Sequence, residues 1–437
     1  MSAAQLSVVF FLQLAVIIAA CRTVGWLARR YLGQPQVVGE MIAGIILGPS
    51  LFGLFLPGVQ VALFPEESRS LLYVGAQLGV GLYMFLVGLG FRTDGFRSQA
   101  GSAAAVSLSG IAVPFLIAVA LTPWLMSVTG LFSDAATGLQ ASLFMGAAIA
   151  ITAFPMLARI IHERGLSGTP LGTLSLSSGA IGDAAAWVVL AFVIASFSGN
   201  MGSAWLTIGG AIAFTVFIIF LAPRLLAPLG RKVEREGGVS HTVLATTLGC
   251  FLLAAFAMDA IGIHAVFGGF LLGAVMPRGR FAADVRRSLE PVVVVLLLPM
   301  FFTYSGLHTQ LNVVSSPTLA VVALVILAAS ILAKFGACWA AARLTGQDNA
   351  TALGIGALMN ARGLMELIII NIALQAGIIG PALFSILVMM AVVTTLMATP
   401  LFEWVYGRKA RERGAFGALD SGSGPQSPPS KTHQLAE

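Results

Sequence analysis

Ala148-Ile149-Ala150-Ile151-Thr152-Ala153-Phe154-Pro155 and Gly356-Ala357-Leu358-Met359-Asn360-Ala361-Arg362-Gly363 each interrupt a long apolar segment. In the first, Pro155 removes a backbone donor in mid-segment. In the second, Asn360 and Arg362 put polar groups at similar depth, beside a glycine. A proline kink by itself often serves only packing. Two matching breaks say more, because irregular backbone inside a membrane survives only where protein buries it or where it lines a cavity.

The rest of the chain makes a membrane setting the only one available. Of 437 residues, 58% are hydrophobic and 10% charged, and the mean hydropathy is +0.94. A soluble protein carries roughly 25% charged residues, so the composition describes an all-α polytopic membrane protein and excludes a soluble enzyme. The net charge of +6 would suggest nucleic acid in a soluble domain. Here it is the expected mark of Lys and Arg held on the cytoplasmic side, and no nucleic-acid partner is expected. Cys21, Cys250 and Cys338 show no metal-ligand spacing and read as small core residues. No cofactor is expected. The first apolar stretch runs into an arginine cluster without a processing site, so no cleavable leader is expected.

A crossing helix needs roughly 20 apolar residues. Thirteen stretches qualify, near 6–24, 36–56, 70–90, 102–126, 137–158, 171–197, 203–223, 239–261, 264–277, 289–307, 316–343, 349–377 and 381–405. The ninth is short and reads as bent or tilted. Of the 24 Lys and Arg residues, all but Arg69, Lys334 and Arg362 follow an odd-numbered stretch. That alternation supports the count and predicts a cell-membrane protein with its N-terminus outside and its C-terminus in the cytoplasm. Residues 1–407 form the membrane domain. A basic tail follows from 408 to 437, whose Ser, Gly and Pro content from 415 onward predicts disorder. No GxGxxG nucleotide-binding domain follows the membrane part, so regulation by such a domain in the chain is not expected.

Two halves echo each other. Ala43-Gly44 through Gly48 in the second stretch resembles Gly268-Gly269 through Gly273 in the ninth. Met84-Phe85 through Gly88-Leu89 in the third resembles Met300-Phe301 through Gly306-Leu307 in the tenth. Both matches are seven stretches apart, an odd number, so the halves have opposite orientation. Inverted repeats with interrupted helices at the midplane are a signature of secondary transporters.

Ionisable groups inside a membrane are costly, and each calls for a role. Asp183 lies midway along the sixth stretch among small residues, Ser177-Ser178-Gly179-Ala180-Ile181-Gly182-Asp183-Ala184. Burial disfavours a carboxylate's charge and a neighbouring cation favours it, so such a group can exchange a proton for a metal cation; the bland alternative is a hydrogen-bonded structural aspartate. Lys334 is the lone lysine within a stretch. It either pairs with Asp183 and is released when a cation binds, or serves as a fixed countercharge for helix ends at the breaks. Arg362 and Glu366 are four apart and suit an i,i+4 pair. Glu40 sits near the start of its helix, where the positive helix end favours a carboxylate. For Glu40 and Glu366 a structural role is the better reading. Asp259 and His264 read as interfacial, and His162 and His308 as loop residues.

Val38-Gly39-Glu40-Met41-Ile42-Ala43-Gly44 through Gly48-Pro49-Ser50, Ile151-Thr152 through Pro155 to Arg159, and Leu358-Met359-Asn360-Ala361-Arg362-Gly363 through Glu366-Leu367 together resemble the monovalent cation:proton antiporter-2 family. The last two are most similar to its cation/proton exchanger branch, well known in plants. The resemblance covers residues 6–405. It implies an NhaA-like fold: two crossed, unwound helices in a core domain, and a panel domain that forms a homodimer in the lipid bilayer. It also implies exchange of Na⁺ or K⁺ for protons by alternating access, with Asp183 as the ion-binding carboxylate. Thr152 and Ser178 would lie beside it, and Lys334 would be the basic residue of the eleventh helix. The family usually has Asp, Asn or Gln before the ion-binding aspartate, and this chain has Gly182. A single carboxylate implies one proton for one cation, unless Lys334 carries a second proton.

The rivals lack their signatures. A potassium channel needs a carbonyl-lined filter such as TVGYG, and the sequence has none. Potassium efflux systems of the same family carry a nucleotide-binding domain not seen here. An intramembrane aspartyl protease needs two carboxylates sharing a proton, and Gly179-x-x-Gly182-Asp183 is not its GxGD motif.

Overall fold

The computed structural model describes residues 2–412 except 33, 35, 91, 92, 167, 199, 200, 263, 264, 309–315, 363–365, 367, 368, 371, 372 and 375. His264, Gly363, the expected disordered tail and the side chain of Pro155 lie outside the described set. The described residues are mostly helical, and no β-strand forms among them.

Described helix falls within each of the thirteen apolar stretches, with breaks inside the fifth and the twelfth. The helices are α1 (Ala3–Leu32), α2 (Gln36–Leu47), the short α3 (Phe52–Phe55) and α4 (Pro57–Leu63), α5 (Glu66–Gly90), α6 (Thr93–Ser127), α7 (Gly138–Ala150), α8 (Phe154–Glu163) and α9 (Pro170–Ser198). They continue with α10 (Met201–Phe220), α11 (Ala222–Glu236), α12 (His241–Ile261), α13 (Ala265–Val275), α14 (Arg280–Val292), α15 (Leu298–Leu307), α16 (Pro317–Leu344), α17 (Asn349–Leu358) and α18 (Pro381–Glu412). By length and composition, 8 helices among the described residues can cross a membrane, or 9 if the bent pair α10–α11 is one span. The count of thirteen is therefore not reached by these helices alone. It additionally requires α9, the short α13, and the interrupted stretches at α7–α8 and α17 to be crossings. A second difference lies at the tenth stretch. A five-residue π turn, Val293–Leu297, joins α14 to α15 in one continuous helical run, so Arg286 and Arg287 sit on that helix rather than in a loop.

Packing divides the helices into two sets. In one, α6 lies against α7, α9 and α16, and α17 against α16 and α18. In the other, α5 lies against α13 and α15, α2 against α1 and α15, and α12 against α13. The sets meet where α8 touches α2 and α5 and where α9 runs into α10. Phe154 of α8 packs edge-on against Phe270 of α13, with ring centroids 5.0 Å apart.

The glycines of the internal repeat lie at helix crossings. A Cβ on Gly44 would lie 2.2 Å from the Phe302 carbonyl oxygen, and one on Gly306 would lie 2.0 Å from that of Gly44. A Cβ on Gly273 would lie 2.1 Å from the Phe85 carbonyl oxygen, and one on Gly88 would lie 2.2 Å from that of Phe270. So α2 crosses α15 backbone to backbone, and α13 crosses α5 the same way. The repeat equates α2 with α13 and α5 with α15, and a two-fold relation converts the first crossing into the second.

Candidate functional site

The two broken stretches begin alike. At the start of α7, the Thr137 hydroxyl accepts from Gln140 N at 3.3 Å, and the Gln140 side chain accepts from Thr137 N at 3.0 Å. At the start of α17, Asp348 accepts from Thr351 N at 3.2 Å. These caps satisfy amide donors that a helix start leaves open. Both helices then stop short. After Ala150 the chain turns extended at Ile151, and α8 begins with Pro155 in its first turn. There a missing N–H costs nothing, and the fixed φ favours a helix start. Pro155 thus opens the second half-helix rather than kinking a continuous one. In the other stretch, α17 ends at Leu358 and residues 359–362 leave the helix.

The two breaks touch. Ala153 N donates to the Ala361 carbonyl at 3.1 Å. The Thr152 hydroxyl donates to the Met359 carbonyl at 3.2 Å, and Asn360 Nδ2 donates to the Gly356 carbonyl at 2.9 Å. A helix that ends inside the protein leaves carbonyls without partners and a partial negative charge. At the end of α7, Arg362 donates to the carbonyls of Ala148 (2.8 Å) and Ile149 (2.5 Å), and Lys334 donates to that of Ala150. Arg362 also pairs with Glu366 at 3.1 Å, with both side chains only 1% exposed. The i,i+4 pair is present, and Arg362 additionally caps a helix some 200 positions away in sequence. For Lys334, this contact is the one of its two open arrangements in which it serves a helix end.

Asp183 is 2% exposed on α9. A Cβ on Gly179 would contact Leu157 and Phe154 of α8, at 2.8 and 3.0 Å, and one on Gly172 would meet Leu166. Those pairs fix α8 and α9 antiparallel, so Asp183, one turn beyond Gly179, is level with the break at 151–153. Ser178 and Ser175 on the same helix are fully buried, and their hydroxyls have no hydrogen-bond partner. Asn360 Oδ1 is likewise buried and unpartnered. Buried polar atoms are almost always satisfied in proteins. The Asn360 oxygen, at the crossing itself, suits a hard cation, which binds carboxylate, carbonyl and neutral side-chain oxygen; Ser178 and Ser175 precede Asp183 on α9, on the side toward the far end of α8.

Glu40 lies apart from the crossing. It is fully buried on α2, accepts from Gln36 at 3.0 Å, and lies within electrostatic reach of Arg159. The sequence reading missed this second cluster. Arg159 was expected in a cytoplasmic loop. It is instead 6% exposed on α8, paired with Glu163 at 2.5 Å and lying 5.8 Å from the Tyr83 ring centre. Glu163 also accepts from Val37 N at 3.4 Å, and His162 faces Glu290 at 3.7 Å. Asp259, in the last turn of α12, belongs to the other set of helices.

The transmembrane sodium/hydrogen exchanger family matches residues 9–406. A Na⁺/H⁺ antiporter, NhaS4 of Synechocystis, is 37% identical over 90% of this chain and 95% of its own length. Cation/H⁺ antiporter 18 of Arabidopsis thaliana is 33% identical over 93% of this chain, which spans about half of that longer protein, 50% of its length. Among solved structures, the sodium proton antiporter MjNhaP1 of Methanocaldococcus jannaschii superposes with a TM-score of 0.57 at 14% identity, covering 92% of this chain and 96% of that one. That likeness speaks to the fold. The match over nearly the whole membrane part and the near full-length relative agree: the chain belongs to the sodium/hydrogen exchanger family.

Proposed function

We propose that the chain is a secondary antiporter that exchanges a monovalent cation for protons, with Asp183 holding either the cation or the proton. One observation carries this reading. A buried carboxylate stands level with two touching helix breaks, on the helix packed beside the α7 end to which Lys334 and Arg362 donate. Thr152, Ser178 and Asn360 would supply uncharged oxygen. Since one group holds one charge, proton and cation compete for it, and exchange is one-for-one. The cation is Na⁺ or K⁺. Relatives described as a Na⁺/H⁺ antiporter in Synechocystis, a K⁺/H⁺ antiporter in Saccharomyces cerevisiae and a Na⁺/H⁺-K⁺ antiporter in Bacillus cereus support both.

Alternating access would come from the set containing α6–α9 and α16–α18 moving as a core domain against a panel containing α1, α2, α5, α12, α13 and α15. The contacts of α8 with α2 and α5 form the seam. The protein would act as a homodimer in the cell membrane, built on the panel, with thirteen crossings, the N-terminus outside and the C-terminus cytoplasmic.

Flux in proteoliposomes tests the reading. The parent should acidify or alkalinise the lumen in response to a Na⁺ or K⁺ gradient, and an imposed membrane potential should not change the rate. Asp183→Asn should insert and fold but carry nothing, because an amide cannot release a proton or balance a cation. Lower pH should raise the apparent KM of the parent for the cation. Saturable exchange by Asp183→Asn would refute the site.

A further inference from the structure

Gly182 immediately precedes Asp183 and has no side chain to offer a cation. The space beside it is polar. A Cβ on Gly182 would lie 3.2 Å from the hydroxyl oxygen of Ser107 on α6. Ser107 is 1% exposed, and its hydroxyl has no hydrogen-bond partner. Other hydroxyls on the same helix behave differently: Ser109 donates back to the Ala105 carbonyl and Thr122 to that of Ala118 at 2.8 Å. Back-bonding to the preceding turn is the usual refuge of a helical hydroxyl, and Ser107 does not take it.

The neighbours of Ser107 bring it to the level of the crossing. One turn along α6, a Cβ on Gly110 would meet Cys338 Sγ at 2.6 Å and Lys334 Cε at 3.9 Å. Cys338 also donates to the Val106 carbonyl at 3.7 Å. The α6 helix therefore lies between the helix of Asp183 and that of Lys334, whose ammonium reaches the end of α7.

We propose that Ser107 supplies, from a neighbouring helix, an oxygen ligand for the transported cation at the place where Gly182 leaves room. The inference rests on Asp183 being the cation site and adds a residue to it. A neutral hydroxyl adds ligand field without charge. It therefore favours the cation over the proton at Asp183 while leaving one-for-one exchange intact.

The experiment uses the full chain in liposomes, with Na⁺, K⁺ and Li⁺ titrated separately against proton flux. Loss of one ligand oxygen should raise the KM of Ser107→Ala by about three- to tenfold. The rise should differ among the three ions, while the maximal rate falls by less than about twofold and the melting temperature stays close to that of the parent. Ser107→Thr should restore the parent KM. Gly182→Ser in the Ser107→Ala background should recover at least part of it, because the hydroxyl returns from the other side of the gap. Ser107→Cys, nearly isosteric but a poor ligand for a hard ion, gives the same reading if the alanine variant is not produced.

An unchanged KM in Ser107→Ala or Ser107→Cys, or a loss of rate with no change in KM, would overturn the assignment of Ser107. If Asp183→Asn is dead in the same assay while Ser107→Ala binds normally, the Ser107 proposal alone fails. Exchange by Asp183→Asn would remove the site itself, and Ser107 with it.

Discussion

Arg362 ties the second break to the end of α7, and its replacement by alanine makes a sharp test. The guanidinium is 1% exposed, donates to two carbonyls at the end of α7, and pairs with an equally buried Glu366. Alanine would leave the Glu366 carboxylate buried without its partner, a change that costs about 3–5 kcal/mol in buried pairs. Each orphaned carbonyl would add roughly 1–3 kcal/mol unless water enters. The sum is a large share of the ~5–15 kcal/mol that holds a typical domain together.

Removing both partners should hurt less than those costs suggest, because no lone charge remains. Glu366→Ala alone should be milder than Arg362→Ala, since the guanidinium keeps both carbonyls. The assay is a double-mutant cycle of Arg362→Ala and Glu366→Ala, read as melting temperature of the detergent-solubilised protein at neutral pH. At ~2 °C per kcal/mol for a large chain, Arg362→Ala should lose at least about 6 °C, and the double variant should recover part of that loss. Additive single-variant losses would refute the pairing argument. A loss of under about 2 °C for Arg362→Ala would refute the capping of α7.

Lys334→Ala removes the donor to the Ala150 carbonyl and should lower stability by about 1–3 kcal/mol and shift the pH profile of exchange; a variant equal to the parent in melting temperature, rate and pH profile would make the lysine a bystander. Gly306→Ala would place a Cβ 2.0 Å from the Gly44 carbonyl oxygen and 2.1 Å from its carbon. Neither backbone can step aside, so α2 and α15 must separate, at a cost of roughly 1–3 kcal/mol or more; an unchanged melting temperature would refute the close crossing. His162 is held below its ordinary pKa, first by burial and then by Arg286. A base held low in the fold takes up its proton less readily than in the unfolded chain, so stability falls as pH drops through the unfolded value near 6.5. His162→Gln should match the parent in melting temperature at pH 8 and lose less on going to pH 5.5, whereas an equal acid loss in both would exclude His162 as a source of it.

Local signals made the breaks legible. Pro155 and the polar run at Asn360 and Arg362 sit at the irregular segments, and apolar length located the helices. The partners of those breaks were not legible. Arg362 suits Glu366 by spacing, but its contacts with Ala148 and Ile149 depend on two halves of the chain meeting in space. Arg159 shows the same limit. By sequence it is one of the cations flanking an apolar stretch, but α8 is a short half-helix packed against α2 and α5, which carries the arginine under cover beside Glu163 and Tyr83. Ser107 gave no signal because a serine in an apolar helix usually back-bonds to its own turn. Its position against Gly182 and its missing back-bond set it apart from Ser109, and both appear only in the fold.

Charge accounting at the crossing links the architecture to the proposed exchange. Arg362 and Glu366 neutralise each other through a direct contact. Lys334 faces the partial negative end of α7, and Asp183 stands on the adjoining helix at the same level. If Lys334 stays protonated, Asp183 is the group whose charge the cargo alters. A proton on Asp183 and a sodium or potassium ion beside it change the core's charge by the same single unit. The core would then cross the seam at α8 carrying the same charge in either direction. Empty, it would carry one negative charge more, and burying an uncompensated carboxylate is costly. That penalty would make movement without cargo the expensive step, as an exchanger that does not leak requires. In the proposed mechanism the fixed pair and the capped helix end would do more than stabilise the break, because they would leave the state of Asp183 to decide when the core moves.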